Sequence, residues 1–144
     1  MSVRTAGIIG VLAAVILAGA GIAAAGGPSD TIAAPVVRTV HIRIHFSRFD
    51  PGAIDVEPGQ TIRFVVDNTD PIDHEFIVGD DGVQQAHEAG TEAHHAPRPG
   101  EISVPAGRTV ITTVRFPAHG GELLFGCHLP GHYAYGMRGT ISIG

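Results

Sequence analysis

The sequence predicts an all-β domain, a two-sheet sandwich or small barrel of about eight short strands. Short apolar runs rich in β-branched residues recur through residues 36–144. Residues that favour turns separate these runs, and the chain contains 20 Gly and 10 Pro. With 44% hydrophobic residues in 144 positions, it can bury one compact core. These observations favour a single β-rich domain.

Each predicted strand ends at a turn signal. The first alternates apolar and polar residues from Val40 onward, as a half-buried strand does. Asp50-Pro51-Gly52 and Glu57-Pro58-Gly59 are turn sequences on either side of the second strand. In order, the predicted strands are residues 36–46, 53–56, 61–67, 74–78, 102–104, 108–116, 122–125 and 139–143.

One insertion interrupts this series of strands. The only candidate for a helix lies in the polar stretch 81–96, and Gly90 weakens its helical propensity. The sequence contains no internal repeat and no sign of a second folded domain. The predicted fold is therefore an all-β sandwich with one loop or short helix inserted.

The N-terminal residues have the pattern of an export signal. Arg4 precedes a long apolar run, and no charged residue follows before Asp30. We expect residues 1–25 to be either a cleaved signal peptide or a membrane anchor through residues 6–25, since the run is long enough to cross a bilayer. Residues 26–35 form a linker. Both alternatives place domain 36–144 outside the cytoplasm, in the periplasm, at the cell surface or in the medium.

Charge and cysteine content exclude some functions. The formal net charge is -5, and all nine basic residues are Arg. Nucleic acid binding needs a basic face, so we expect none. Cys127 is the only cysteine and has no internal disulfide partner. A free thiol in an exported protein is at risk of oxidation, and metal ligation would explain its presence.

Four residues carry the expected chemistry. Cys127, His132 and Met137 stand five residues apart, between two predicted strands. His74 begins an earlier strand and can reach the same end of the sandwich. A thiolate, two imidazoles and a long axial thioether form a mononuclear blue-copper site that suits both copper valences. We therefore predict one type 1 copper ion bound by these four residues.

The chain resembles the cupredoxins, the small blue-copper electron-transfer proteins. The resemblance covers residues 36–144 and includes the pattern from Phe49 to Asn68 that is similar to the early strands of the family. His74 and the loop residues Cys127, His132 and Met137 match its ligand positions. The resemblance implies a Greek-key β-sandwich, copper near one end, and binding of both histidines through Nδ1. The His-Glu-Phe-Ile-Val-Gly segment is most similar to exported bacterial single-domain forms.

The Cys127-His128 pair also resembles the last domain of multicopper oxidases. In those enzymes the histidine after the cysteine binds a second copper cluster. They also have a histidine before the cysteine, where this chain has Gly126, and several His-x-His pairs, which this chain lacks. We therefore expect His128 to be a surface residue or a support for the copper ligands.

A histidine-rich segment lies in the insertion. His87, His94 and His95 occur there together with Glu88 and Glu92. Imidazole and carboxylate can bind Cu(II) or Zn(II). The segment is interpreted as a solvated acidic loop, a second metal site for copper capture, or a shield for the blue-copper site.

The expected function is single-electron transfer by a monomer that is not an enzyme. A redox protein would dock near His132, and Leu129, Pro130, Tyr133 and Tyr135 would form an apolar collar there if they do not simply pack the loop. Copper storage, delivery or resistance is the alternative. An oxidase or reductase is disfavoured, because the four expected ligands leave no evident open position for a substrate.

Overall fold

The computed structural model describes residues 37–90 and 96–144. This part of the chain contains nine β-strands and one α-helix. The elements are β1 (Val37–Ile44), β2 (Phe49–Asp50), β3 (Ala53–Val56), β4 (Thr61–Asn68), β5 (His74–Gly79), α1 (Asp81–Glu88), β6 (Glu101–Val104), β7 (Thr109–Arg115), β8 (Gly121–Gly126) and β9 (Arg138–Ile143).

The strands form two sheets. One has the order β2-β1-β4-β7, and the other has the order β3-β9-β8-β5-β6. Strand β1 is parallel to β4 and β3 is parallel to β9, whereas the remaining pairs are antiparallel. The predicted all-β sandwich is confirmed.

Alternating side chains build the core between the sheets. In β4 every second residue is buried, from Ile62 to Asn68. Phe64, Phe76 and Phe125 are fully buried. The ring of Phe76 contacts those of Phe64 and Phe125 at centroid distances of 5.2 and 5.4 Å. This aromatic cluster excludes water from the interior and supports the strand that begins at His74.

The structure adds one short strand to the sequence prediction and confirms the short helix in the insertion. The first predicted strand ends early, at Ile44, because the chain turns back and residues 49–50 pair with β1 as a ninth strand. The predicted insertion contains a helix of eight residues, capped where the side chain of Asp80 accepts a hydrogen bond from the Val83 N–H. Before Gly90 the helix has ended.

Predictions about the N-terminus lie outside the described residues. They concern the signal peptide or anchor at 1–25 and the linker at 26–35. In residues 37–90 and 96–144, no helix is both long and apolar enough to span a membrane.

Strand pairing brings the predicted ligands to one end of the second sheet. Gly126 of β8 pairs with Arg138 of β9, so the loop between them starts and finishes at the same point. Gly126 also pairs with Ile77 of β5. The first residue of β5 is His74, which therefore lies beside the base of the loop.

Candidate metal centre

Three donor atoms converge at this end of the sandwich. Sγ of Cys127 lies 3.2 Å from Nδ1 of His132 and 3.9 Å from Nδ1 of His74. The two imidazole nitrogens are 3.3 Å apart. In the part of the chain that the structure describes, this is the one group of His, Cys, Asp and Glu donors compact enough to hold a metal ion.

Backbone hydrogen bonds close the loop that carries the other predicted ligands. The Cys127 N–H donates to the Met137 carbonyl at 3.1 Å, and the Met137 N–H donates to the His132 carbonyl at 2.9 Å. Gly131 and Gly136 allow the turns through positive φ angles of 83° and 91°. Met137 is fully buried within this loop.

The thiol of Cys127 is buried and hydrogen-bonded. The Glu75 N–H donates to its sulfur at 3.3 Å. Burial raises the pKa of Cys127 to about 11, although backbone hydrogen bonds from Leu129 and Glu75 act in the opposite direction. At neutral pH the metal-free thiol is therefore protonated, and a metal ion that binds it must displace the proton.

The two histidines differ in their exposure. His74 is fully buried, whereas His132 is only partly buried. Burial and the neighbouring charge of His74 lower the pKa of His132. Lowering this pKa favours the neutral ring, which is the form that donates a lone pair to a metal.

A carboxylate lies behind His74. Oδ2 of Asp70 is 2.9 Å from Nε2 of His74. Burial alone would raise the pKa of Asp70, but backbone hydrogen bonds from Ser47 and Phe46, together with His74, lower it. Asp70 is therefore ionised at neutral pH.

His128 supports the loop and is not a surface residue. Its side chain is 2% exposed, and Nδ1 lies 3.0 Å from a carboxylate oxygen of Glu88. Its Nε2 lies 2.8 Å from Oε1 of Gln84, and its ring stacks on Tyr133 at 4.6 Å. Of the two expectations for His128, the structure favours support of the loop 127–137 between β8 and β9, which we call the ligand loop.

The position before Cys127 has no room for a side chain. A Cβ atom on Gly126 would lie 2.6 Å from the ring of Tyr133, the residue that follows His132. The guanidinium of Arg138 lies over the same ring at 5.4 Å. Tyr133 therefore occupies the space that a histidine at position 126 would need.

The histidine-rich segment is only partly described. His87 is on α1, and its side chain is 4% exposed, with Nε2 3.4 Å from Oε2 of Glu101. Its ring centroid is 5.6 Å from that of His128. His94 and His95 lie outside the described residues, so the second metal site remains a prediction.

A cavity of about 500 Å³ lies next to the ligand loop. Glu75, Glu88, His87 and His128 contribute its polar lining. Leu129, Pro130 and Gly131 of the loop form another part of the wall. The cavity therefore brings carboxylates and imidazoles close to the site without being part of the donor group.

The residues of the predicted apolar collar differ in their exposure. Tyr135 is 81% exposed, whereas Tyr133 packs between His128 and Arg138. Only part of the collar is therefore free for contact with another protein.

Sequence reasoning missed the residues that hold the donors in place. These are Asp70, Glu75, Gln84 and Glu88, which contact His74, Cys127 and His128. Asp70 stands four residues before His74, and Glu75 directly follows it. That proximity was the available signal, but the direction of each side chain depends on the loops that surround it.

The donor chemistry fits copper. A buried thiol with two imidazole nitrogens within 4 Å of it suits a cation of soft or borderline character, such as copper. It suits Mg²⁺ or Ca²⁺ less well, because these ions prefer oxygen ligands. Fold and donor set together define a copper-binding β-sandwich protein. The family model for copper-binding proteins of the plastocyanin/azurin family matches residues 38–144, and the chain belongs to this family.

Two relatives and one solved structure illustrate the similarity. The chain is 37% identical over 123 residues to the copper-resistant cuproprotein CopI of Rubrivivax gelatinosus, covering 82% of this chain and 72% of that protein. It is 26% identical over 144 residues to CopI of Pseudomonas aeruginosa, covering 77% and 78%. Auracyanin A, a blue copper protein of Chloroflexus aurantiacus, superposes with a TM-score of 0.60 and 25% identity, covering 76% of this chain and all (100%) of that one.

Proposed function

We propose that this chain is an extracytoplasmic type 1 copper protein that carries single electrons. His74, Cys127, His132 and Met137 are its copper ligands. The observation that carries the proposal is the convergence of the thiol and both Nδ1 atoms within 3.9 Å of one another. A bound copper ion would supply the electron by alternating between Cu(II) and Cu(I).

The protein holds the donor atoms of the proposed site in fixed positions. His74 is held by a carboxylate, and the loop ligands are held by backbone hydrogen bonds at both ends. The Glu75 N–H donates to the thiol sulfur and thereby moderates its electron density. If these donors move little when the charge of the copper ion changes, electron transfer is fast.

Electrons would enter and leave through His132. Its ring is the partly exposed one of the two imidazoles, and Tyr135 and Pro130 next to it are exposed. A redox protein can dock there over a small apolar contact. Four ligands leave no open position for a substrate, which supports a carrier over an oxidase or reductase.

The test is a spectrum of the copper-loaded full chain. We expect one copper per chain, an intense thiolate-to-copper charge-transfer band, a type 1 paramagnetic-resonance signal and a reversible one-electron wave. Cys127→Ala is expected to abolish the band, whereas His119→Ala, at an exposed turn that precedes β8 and so lies at the other end of that strand from Cys127, is a control that keeps it. Intense colour in Cys127→Ala would refute the assignment.

Copper handling is the second candidate function. The two CopI relatives are named as copper-resistant cuproproteins, and a cavity lined by Glu75, Glu88, His87 and His128 lies beside the ligand loop. As the alternative, we propose that the chain acts outside the cytoplasm in copper resistance, by storing or delivering the ion held at the same site.

An exchange measurement separates the two functions. Copper-loaded chain is mixed either with a reducible small redox protein or with a copper-free acceptor of higher affinity. Electron exchange that is much faster than copper transfer supports the carrier. Copper transfer that is faster than electron exchange supports delivery of the ion.

A further inference from the structure

A buried carboxylate stands behind the first histidine of the site. Asp70 is 7% exposed and His74 is fully buried, and Oδ2 and Nε2 are 2.9 Å apart. We propose that Asp70 is a positioning residue: its carboxylate keeps the proton of His74 on Nε2 and turns Nδ1, as the lone-pair nitrogen, toward the metal. The inference rests on the proposed copper site and adds a residue beyond its four ligands.

The direction of this hydrogen bond selects the tautomer. An ionised carboxylate only accepts hydrogen bonds, so the ring must carry its proton on Nε2. Nδ1 of His74 then faces Nδ1 of His132 at 3.3 Å and Sγ of Cys127 at 3.9 Å. The lone pair therefore points to the place where the other donors meet.

An unusual hairpin turn holds the carboxylate. His45 and Arg48 exchange backbone hydrogen bonds of 3.0 and 3.2 Å, which leaves a two-residue loop of Phe46 and Ser47. Both residues have φ of 51°. Two-residue hairpins with positive φ at both positions strongly prefer Asn and Gly, so the conformation is strained for Phe and Ser.

The strained turn supplies two donors to Asp70. The Phe46 N–H donates to Oδ1 at 2.7 Å, and the Ser47 N–H donates to Oδ2 at 2.8 Å. Successive backbone N–H groups in such a turn form a concavity that binds anions. Here the anion is the Asp70 carboxylate, which also contacts the ring of the proposed ligand His74.

The backbone of Asp70 is also fixed. Its N–H donates to Oδ1 of Asn68 at 3.0 Å. The amide of Asn68 in turn donates to the carbonyls of Ile72 and Val104, both at 2.9 Å. Asp70 therefore connects the β1–β2 hairpin of one sheet to the first residue of β5 in the other.

Removing the negative charge of Asp70 should weaken metal binding. Hydrogen-bond partners of metal-bound histidines orient the ring and increase its basicity, and their loss typically lowers metal affinity 10- to 100-fold. A nearby anion also favours Cu(II) over Cu(I). We expect Asp70→Asn to lower Cu(II) affinity by that factor and to raise the reduction potential.

Asp73→Asn is the matched control. Asp73 is exposed, directly precedes His74, and its Oδ1 accepts the Ala106 N–H at 2.9 Å. Its substitution removes the same charge from the same loop without touching His74. Equal affinities and potentials in the two variants would overturn the role of Asp70. Failure of the unsubstituted chain to give a type 1 spectrum would instead refute the proposed function.

The tautomer of His74 can also be measured in the metal-free, unsubstituted chain. This test does not depend on whether the Asp70→Asn and Asp73→Asn variants fold. Nitrogen-15 spectra of histidine-labelled protein distinguish the two imidazole tautomers, and comparison with His74→Gln assigns the signal. We expect His74 to be protonated on Nε2 and bare on Nδ1. A predominant Nδ1–H form would contradict the inference whatever copper does.

Discussion

Cys127 is a buried thiol that also contacts polar groups. It lies among apolar side chains, with its pKa raised to about 11, yet it contacts two imidazoles and accepts a hydrogen bond from the Glu75 N–H. Burial protects the metal-free thiol from oxidation because the reactive thiolate is scarce. A bound metal ion would supply the positive charge that stabilises the thiolate in this environment.

As a proposed copper ligand, Met137 is expected to influence the reduction potential. In Met137→Gln an amide oxygen replaces the thioether, and a harder axial donor stabilises Cu(II) more than Cu(I). We expect the reduction potential to fall by about 59 mV for every tenfold gain in preference for Cu(II). Potentiometry of the copper-loaded variant measures the shift.

Met137→Leu is the control for this substitution. Leucine fills a similar volume but offers no donor atom, so we expect the potential to rise and copper to stay bound. A fall in potential in both variants, or no change in either, would count against Met137 as the axial ligand.

Helix α1 and the ligand loop act as one structural unit. Nε2 of Gln84 donates to the Ile77 and Leu124 carbonyls at 3.1 and 3.3 Å, which fixes its Oε1 toward His128. Glu88 contacts the other nitrogen of the same ring. The inserted helix thereby braces the residue that follows Cys127.

Gly126→Ala tests this bracing at the level of the loop. The new Cβ would lie 2.6 Å from the Tyr133 ring, which must then leave its stack on His128. We expect the free energy of unfolding of the metal-free chain to decrease by about 1–3 kcal/mol, as for other overpacked sites. Denaturant titration measures this change.

Gly52→Ala is the corresponding control. A Cβ there would meet only the Phe49 carbonyl oxygen at an ordinary 3.7 Å, and the residue does not require a positive φ. We expect a change of at most about 0.5 kcal/mol. A similar loss in both variants would show that the Tyr133 contact is not the cause.

Because its proposed ligands come from separate segments of the chain, copper binding should be coupled to folding. The donors come from β5 of the five-stranded sheet and from the loop that joins β8 to β9, and they meet only in the folded chain. A ligand that binds the folded state in preference to the unfolded one stabilises it by about 2.7 kcal/mol at a hundredfold excess over its Kd. Copper should therefore raise the melting temperature.

This stabilisation should increase with pH. Between pH 5 and 8 the Cys127 thiol is protonated in the metal-free folded chain, because burial raises its pKa to about 11, and it is largely protonated in the unfolded chain as well. Copper binding releases that proton. At constant free copper, the thiol proton alone should therefore increase the stabilisation by about 1.4 kcal/mol per pH unit, and any proton displaced from an imidazole ligand adds to this slope.

Calorimetry of loaded and metal-free chain across this pH range measures the effect. The metal-free protein serves as the control, since Cys127 keeps its proton in both of its states. A copper-induced stabilisation that does not depend on pH would contradict binding through the thiol.

Much of this protein was predictable from the order of its residues. Alternating apolar residues predicted the sheets, because a strand with one buried face needs a period of two. The spacing of Cys127 and His132 predicted a compact donor loop, because both residues lie in one short segment between two paired strands. His74 was predicted only in combination with the Cys127–Met137 segment, because a histidine at the start of a strand is not specific by itself.

The tertiary structure decided what surrounds those donors. The carboxylate of Asp70 reaches His74 only because a turn distant in sequence, at Phe46 and Ser47, directs two N–H groups at it. His128 is buried rather than exposed because an inserted helix folds back over the loop. Local pattern specifies which residues have the right chemistry, whereas the direction and protonation of each side chain depend on contacts between segments that are far apart in the chain.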